Sequence, residues 1–209
     1  MLRSAERSTC CALTRATATR GKPDMGFVGV LGATVFFVVG LAIASLAVAS
    51  SNSKSAAGSS TSSPVLAWGS NGNGQLGNGT DSYTPTPAQI QLPDGASAVS
   101  VAAGGRHAYV LDPDGVLYGW GYGGDGELGS APNAGAECPG PYGPCSNTPI
   151  PISLPGGVTP TAISAGMMTG YAIGSDGNLY AWGNNDFGQL GNGTTAAGSS
   201  PVPVSLPCL

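Results

Sequence analysis

One decapeptide pattern occurs three times in this chain and limits what it can fold into more than any other feature. Trp68-Gly69-Ser70-Asn71-Gly72-Asn73-Gly74-Gln75-Leu76-Gly77 returns as Trp120-Gly121-Tyr122-Gly123-Gly124-Asp125-Gly126-Glu127-Leu128-Gly129. It returns again as Trp182-Gly183-Asn184-Asn185-Asp186-Phe187-Gly188-Gln189-Leu190-Gly191. The tryptophans stand 52 and 62 residues apart, and a second related block precedes each later one, from Val99 and from Ala162. Periods of this size belong to solenoids and propellers. Glycine (35) and proline (17) make up about a quarter of the 209 residues, a fraction that indicates low complexity only when it has no period. Here it has one.

Each period reads as short strands. Val116-Leu117-Tyr118 and Asn178-Leu179-Tyr180 run into the tryptophan, and His107–Leu111 and Thr169–Ile173 precede them. Asp114-Gly115 and Asp176-Gly177 lie between, the dipeptide that supplies the backbone of a tight hairpin. Ala98–Ala103 and Thr161–Ala165 give a third strand. Gln89–Leu92, Ile150–Leu154 and Val202–Leu206 give a fourth, flanked by prolines that suit a sheet edge. Four strands per period describe a propeller blade, and the expected fold class is all-β.

The W-G-x-N-x-x-G-Q-L-G-x-G-T run, with its upstream A-G-x-x-H and D-G-x-L-Y-x-W-G, resembles the regulator-of-chromosome-condensation repeat family over residues 65–207. That resemblance implies a seven-bladed β-propeller and relatives that include exported inhibitors and nuclear exchange factors. The middle copy departs from the pattern at Glu127, where the others carry Gln, and Thr169 stands where His107 stands one copy earlier. Residues 65–209 then form a partial propeller: a closing strand at Val65–Trp68, two full four-strand sets and an opening strand at the end. Seven blades of about 50 residues need about 350. The expectation is a fragment of a longer protein or, if the chain is complete, a propeller finished by self-association.

Ahead of the repeats the composition changes. Residues 1–25 form a basic segment, and residues 26–49 (GFVGVLGATVFFVVGLAIASLAVA) carry no charge. As a helix of about 36 Å that stretch would cross a hydrocarbon core of about 30 Å. With positive charge before it, the repeats are expected outside the cytoplasm. Two readings stay open: a membrane anchor through residues 26–49, or a signal peptide cleaved after Ala49 that releases a secreted protein. Residues 50–64 contain eight serines and no large apolar side chain, the composition of a flexible linker.

Charge and chemistry narrow the function. Residues 50–209 hold two cations, Lys54 and Arg106, against nine carboxylates, which opposes a nucleic-acid partner. His107 is the only histidine; nothing in the spacing nominates a serine and a carboxylate to work with it, one histidine cannot anchor a zinc site, and no cofactor is expected. Asp112-x-Asp114-Gly115 lacks the later acidic ligands of a calcium loop and reads as a hairpin turn. Asn78-Gly79-Thr80 and Asn192-Gly193-Thr194 are glycosylation sequons sitting in a repeat turn.

Cys138 and Cys145 bracket PGPYGP inside the stretch that lengthens the second period, and an oxidising compartment would close them into a disulfide. Cys208 is left over, and Cys10 and Cys11 precede the apolar run. Within the insertion 131–147, Tyr142 beside Pro141 is the candidate partner-binding anchor; the alternative is a surface loop without a ligand. The expected function is an exported, membrane-tethered, non-enzymatic repeat module that binds a protein or a cell-surface ligand. A guanine-nucleotide exchange factor-like regulator, by family analogy, and an exported enzyme inhibitor are the alternatives.

Overall fold

A computed structural model describes residues 64–129 and 143–206, together with the backbone of residues 46–50. The strands lie in the compact unit spanning residues 32–205. In chain order they are β1 (Leu46–Ser50), β2 (Val65–Gly69), β3 (Thr84–Ile90), β4 (Ser100–Ala103), β5 (His107–Leu111) and β6 (Leu117–Tyr122). β7 (Cys145–Ile152), β8 (Pro160–Ala165), β9 (Thr169–Gly174), β10 (Leu179–Gly183) and β11 (Gly198–Pro203) follow. They form three antiparallel sheets ordered β1-β2-β3, β4-β5-β6-β7 and β8-β9-β10-β11.

Local chemistry sets these elements. Between β5 and β6 the Val116 amide donates to Asp112 Oδ1 at 2.7 Å, and Gly115 turns the chain at φ +81°. The equivalent turn before β10 uses Asp176 Oδ1 as acceptor for the Asn178 amide at 3.1 Å. The last strand of each sheet carries two prolines spaced two residues apart: Pro85 and Pro87, Pro149 and Pro151, Pro201 and Pro203. In an edge strand alternate amides point away from the sheet, so prolines at that spacing remove donors that no neighbour would use.

Two apolar cores hold the sheets face to face. The first joins Val65, Ala67, Leu76 and Ile90 to Ala108, Val110 and Trp120. The second joins Tyr109, Leu117, Ile152 and Leu154 to Ala172, Tyr180 and Trp182. Each core therefore takes its tryptophan from the later sheet.

Three expectations are corrected. Residues 46–49, placed at the end of a membrane helix, are in β1, which pairs Leu46 with Gly69 and Ser50 with Val65. That register is the one by which β5 pairs with β6, His107 with Gly121 and Leu111 with Leu117, so β1 takes the second-strand position of the first sheet. No helix of the described residues is long and apolar enough to cross a membrane, and residues 26–45 lie outside them. Next, the proline-bearing strand starts earlier than expected and completes the sheet of the preceding tryptophan strand. β11 is thus the last strand of the third sheet and opens no further one. Finally, Ser50 belongs to β1 although it was placed in the 50–64 linker.

Candidate interaction surface

Two of the three repeated tryptophans, Trp120 and Trp182, act between sheets. Trp120 and Trp182 have no solvent exposure. The Trp120 indole Nε1 donates to the Gln75 carbonyl at 2.9 Å, and that of Trp182 donates to the Glu127 carbonyl at 2.8 Å. Each ring fills a notch made by a glycine of the previous sheet: a Cβ at Gly77 would lie 2.7 Å from Trp120, and one at Gly129 would lie 3.2 Å from Trp182. A second glycine admits the last strand of the next sheet, since a Cβ at Gly74 would meet Asn147 and one at Gly126 would meet Ser199, both at 2.7 Å. Leu76, Leu128 and Leu190 are all buried. Gly69 and Gly183 end their strands at positive φ, and Gly121 has positive φ one residue before the end of β6. Trp120 and Trp182, with Gly77, Gly129, Gly74 and Gly126, thus form the contacts between successive sheets.

The polar residues of the repeat are likewise occupied in shaping loops. Asn71 Oδ1 accepts the buried Leu76 amide at 2.9 Å while its Nδ2 donates to the Thr80 and Ser82 carbonyls. Asn185 repeats this with Leu190, Thr194 and Ala196. Both sequon asparagines, Asn78 and Asn192, accept hydrogen bonds from the threonine two residues on. In the middle copy Gly123 occupies the Asn71 position and has no side-chain amide to offer, and this is the copy that carries the insertion.

Two titratable groups are displaced by burial. His107 Nε2 has no hydrogen-bond partner, and burial lowers its pKa to about 4 against a weaker raising effect of the Thr169 backbone. Glu127 is 1% exposed; burial raises its carboxyl to about 7, opposed by the Asp125 amide that donates to Oε2 at 2.9 Å. Its Oε1 has no partner. In the third sheet Gln189 uses the corresponding amide nitrogen to reach Asn184 Oδ1 at 2.9 Å.

Strand direction alternates, so the β4–β5 and β8–β9 turns and the β2–β3, β6–β7 and β10–β11 connections emerge at one end of the sheets. The Tyr122 amide bonds to the Arg106 carbonyl at 2.8 Å there, and the Asn184 amide to the Met168 carbonyl at 2.9 Å. Large apolar side chains stand in solvent at this end: Phe187 is 91% exposed, Met167 80% and Tyr83 78%. The sequence reading missed all three. The signal available was a mismatch between copies, since Phe187 aligns with Asn73 and Asp125, and Met167 with Gly105. Of the expected insertion residues, Cys138, Pro141 and Tyr142 lie outside the described residues. Cys145, buried at the start of β7, is disulfide-bonded. Asp112 and Asp114 form a hairpin turn, and no cluster of three metal-ligating side chains occurs among the described residues.

Models of the regulator of chromosome condensation (RCC1) repeat match residues 64–111, 114–173 and 176–208. The chain belongs to the RCC1 repeat family. It is 34% identical to the ultraviolet-B receptor UVR8 of Arabidopsis thaliana over 145 residues, which cover 68% of this chain and 30% of the receptor. It is 33% identical to the E3 ubiquitin-protein ligase HERC2 of Homo sapiens over 145 residues, 68% of this chain and 3% of the ligase. Among solved structures, Prp20p of Saccharomyces cerevisiae superposes with a TM-score of 0.61 at 24% identity, covering 69% of this chain and 34% of that one. Human WBSCR16 superposes with a TM-score of 0.59 at 26% identity, covering 78% and 37%. This chain therefore spans about a third or less of the RCC1-repeat relatives it matches, and its sheets are β-propeller blades. The work on Prp20p describes its binding to Gsp1p and histones, a property of that protein.

Proposed function

We propose that this chain is a non-enzymatic RCC1-repeat binding module for a protein partner, and that the partner meets the end of the blades carrying the β2–β3, β6–β7 and β10–β11 connections. The observation that carries the reading is the exposure of Tyr83 and Phe187 on two of these three connections, while Asn71 and Asn185 of the same loops are turned inward. Exposed apolar side chains rimmed by polar loops are the composition of a protein-binding patch. The third connection contains the insertion with Pro141 and Tyr142.

Display outside the cytoplasm is part of the proposal. Residues 26–45 are uncharged and follow a basic segment, which supports export. Cleavage after Ala49 would cut β1 one residue from its end, which favours retention of the apolar segment as an anchor. Capture with the full chain in its native host, compared with a Tyr83→Ser/Phe187→Ser variant of unchanged thermal stability, tests the binding reading. A stoichiometric protein lost from the variant is expected. Equal recovery by both chains would sink the assignment of this surface, and stimulated nucleotide release from a GTPase would replace it with the exchange-factor alternative. A reporter fused after Leu209 that is active only in the cytoplasm would refute export.

A further inference from the structure

We infer that the start of the β6–β7 connection is a receptor for one ammonium group, with Glu127 at its floor and Tyr122 and Asp125 at its rim, and that a lysine of the protein partner fills it. The inference rests on the binding reading above and names the chemistry of that partner. The site lies on the middle blade, which has a neighbour on each side, and residues 122–127 are all among those described. The three copies of the loop differ at one hydrogen bond. In the outer copies the glutamine oxygen accepts the amide two residues back, from Asn73 at 2.9 Å and from Phe187 at 2.8 Å. The glutamine nitrogen then donates to the side chain that follows the strand, Ser70 Oγ at 3.4 Å or Asn184 Oδ1 at 2.9 Å. Glu127 keeps the first bond, through Oε2 and the Asp125 amide at 2.9 Å. Its Oε1 takes the place of that nitrogen, so an acceptor stands where the sister copies have a donor. The aligned residue is Tyr122, whose hydroxyl lies against Gly124 instead. Oε1 is thus buried without a partner, in a residue only 1% exposed.

The unmatched group is an acceptor, and its surroundings select a cation. Burial is the main cause that raises the Glu127 carboxyl, and the Asp125 charge adds to it. Burial, and then the charges of Asp125 and Glu127, raise the Tyr122 phenol, so the ring and both carboxyls share one neighbourhood. Tyr109 on the buried side has its hydroxyl committed to the Glu127 carbonyl. Arg106, the one cation of residues 55–209, is exposed and is the weakest of the influences on Glu127. A metal ion would need several more oxygens, and no cluster of three metal-ligating side chains occurs among the described residues. A guanidinium fork pairs with two free oxygens, and Oε2 is already taken. A point charge on a thin stem suits a single buried oxygen with a second carboxylate and an aromatic ring beside it, and that is lysine. Residues 55–209 contain no lysine, so the repeats cannot supply it themselves. Their excess of carboxylates complements a basic partner.

Carbon NMR of the full chain in nonionic detergent, labelled at the glutamate side-chain carboxyl, tests it. The chain has three glutamates, Glu6, Glu127 and Glu137, and the signal lost in Glu127→Gln identifies the one of interest. That variant carries the residue of the other two copies, so it keeps the loop's shape. The probe is a capped glycine-lysine-glycine peptide, compared at equal salt with the same peptide acetylated on the lysine. An ammonium on Oε1 favours the ionised carboxyl, so the lysine peptide should lower the Glu127 pKa from about 7 by more than one unit, a tenfold preference for the charged form. The acetylated peptide should leave Glu127 in place, and Glu6 serves as the internal reference. Amide shifts of Gly123 and Gly124 should give a half-saturating concentration about tenfold higher or more in Glu127→Gln, the loss of a charge-assisted bond. Equal effects of the two peptides, or no effect of either, would overturn the inference and leave the Tyr83 and Phe187 surface untouched. Unchanged half-saturation in Glu127→Gln would overturn it as well. A larger shift with an arginine peptide would replace lysine by guanidinium recognition. Failed capture of a partner with these shifts present would remove the partner reading alone.

Discussion

Replacing Glu127 by Gln should change the shape of the stability curve against pH. The carboxyl has a folded pKa of about 7 against an ordinary value of 4.5, because burial disfavours its charge. A raised folded pKa means that the folded state holds the proton more tightly than the unfolded state. The contribution of Glu127 is therefore full below about pH 4.5 and is lost as pH rises through about 7. One pKa unit corresponds to about 1.4 kcal/mol, so from pH 5 to pH 8.5 the loss is about 2–3 kcal/mol.

His107 acts in the opposite sense. Its pKa falls from 6.5 to about 4, so its contribution is present above the unfolded value and lost as pH falls toward 4. In the wild-type chain the two effects offset each other across much the same window. Gln has the shape of the protonated acid and cannot ionise, so Glu127→Gln removes one arm of that balance. Urea unfolding at pH 5, 6, 7 and 8.5 should give near-equal stabilities for the two proteins at pH 5. At pH 8.5 the variant should be ahead by about 2–3 kcal/mol, and its own stability should rise with pH. Parallel curves for the two proteins across this range would refute the argument that the Glu127 site is dry enough to hold a proton at neutral pH.

Trp120→Ala should cost about 3–5 kcal/mol in chemical denaturation, the usual range for a fully buried large aromatic. Trp68→Ala should cost less than half of that, since Trp68 is outside both cores. Gly126→Ala and Gly188→Ala share a positive φ and hence a backbone penalty of about 1 kcal/mol. Only the former drives a methyl into Ser199, so its melting temperature should fall clearly further. Asn185→Ala strips the buried Leu190 amide of its acceptor and should cost about 1–3 kcal/mol by thermal or urea unfolding.

The repeat was readable because its glycines and tryptophans answer to local demands that recur in each copy. The hairpins at Asp112–Gly115 and Asp176–Gly177 followed from turn chemistry and were found where the sequence put them. The grouping of strands into blades was not readable, because sequence period and structural period are half a unit out of phase. The match over residues 64–111 starts at β2 and β3 of one blade and ends at β4 and β5 of the next. Each repeat therefore staples two blades together, and counting strands from a repeat boundary assigns them to the wrong sheet.

The strand at Leu46–Ser50 was hidden for a different reason. Its residues continue an apolar run, and the tie that makes them a strand is register with β2, which composition does not express. Tyr83 and Phe187 were not legible for the opposite reason: they break the pattern that the copies share. The side chains left in solvent are the ones they do not share.

The paired prolines on β3, β7 and β11 bear on growth. In the language of polymer chemistry, each blade is a difunctional monomer: it can bond through its two faces, while its third valence, the outer strand edge, is blunted by two residues that have no hydrogen to donate. Monomers with two live ends give chains or closed rings but cannot cross-link. However many blades are strung together, the missing donors weaken any cross-linking of these edges into a branching network.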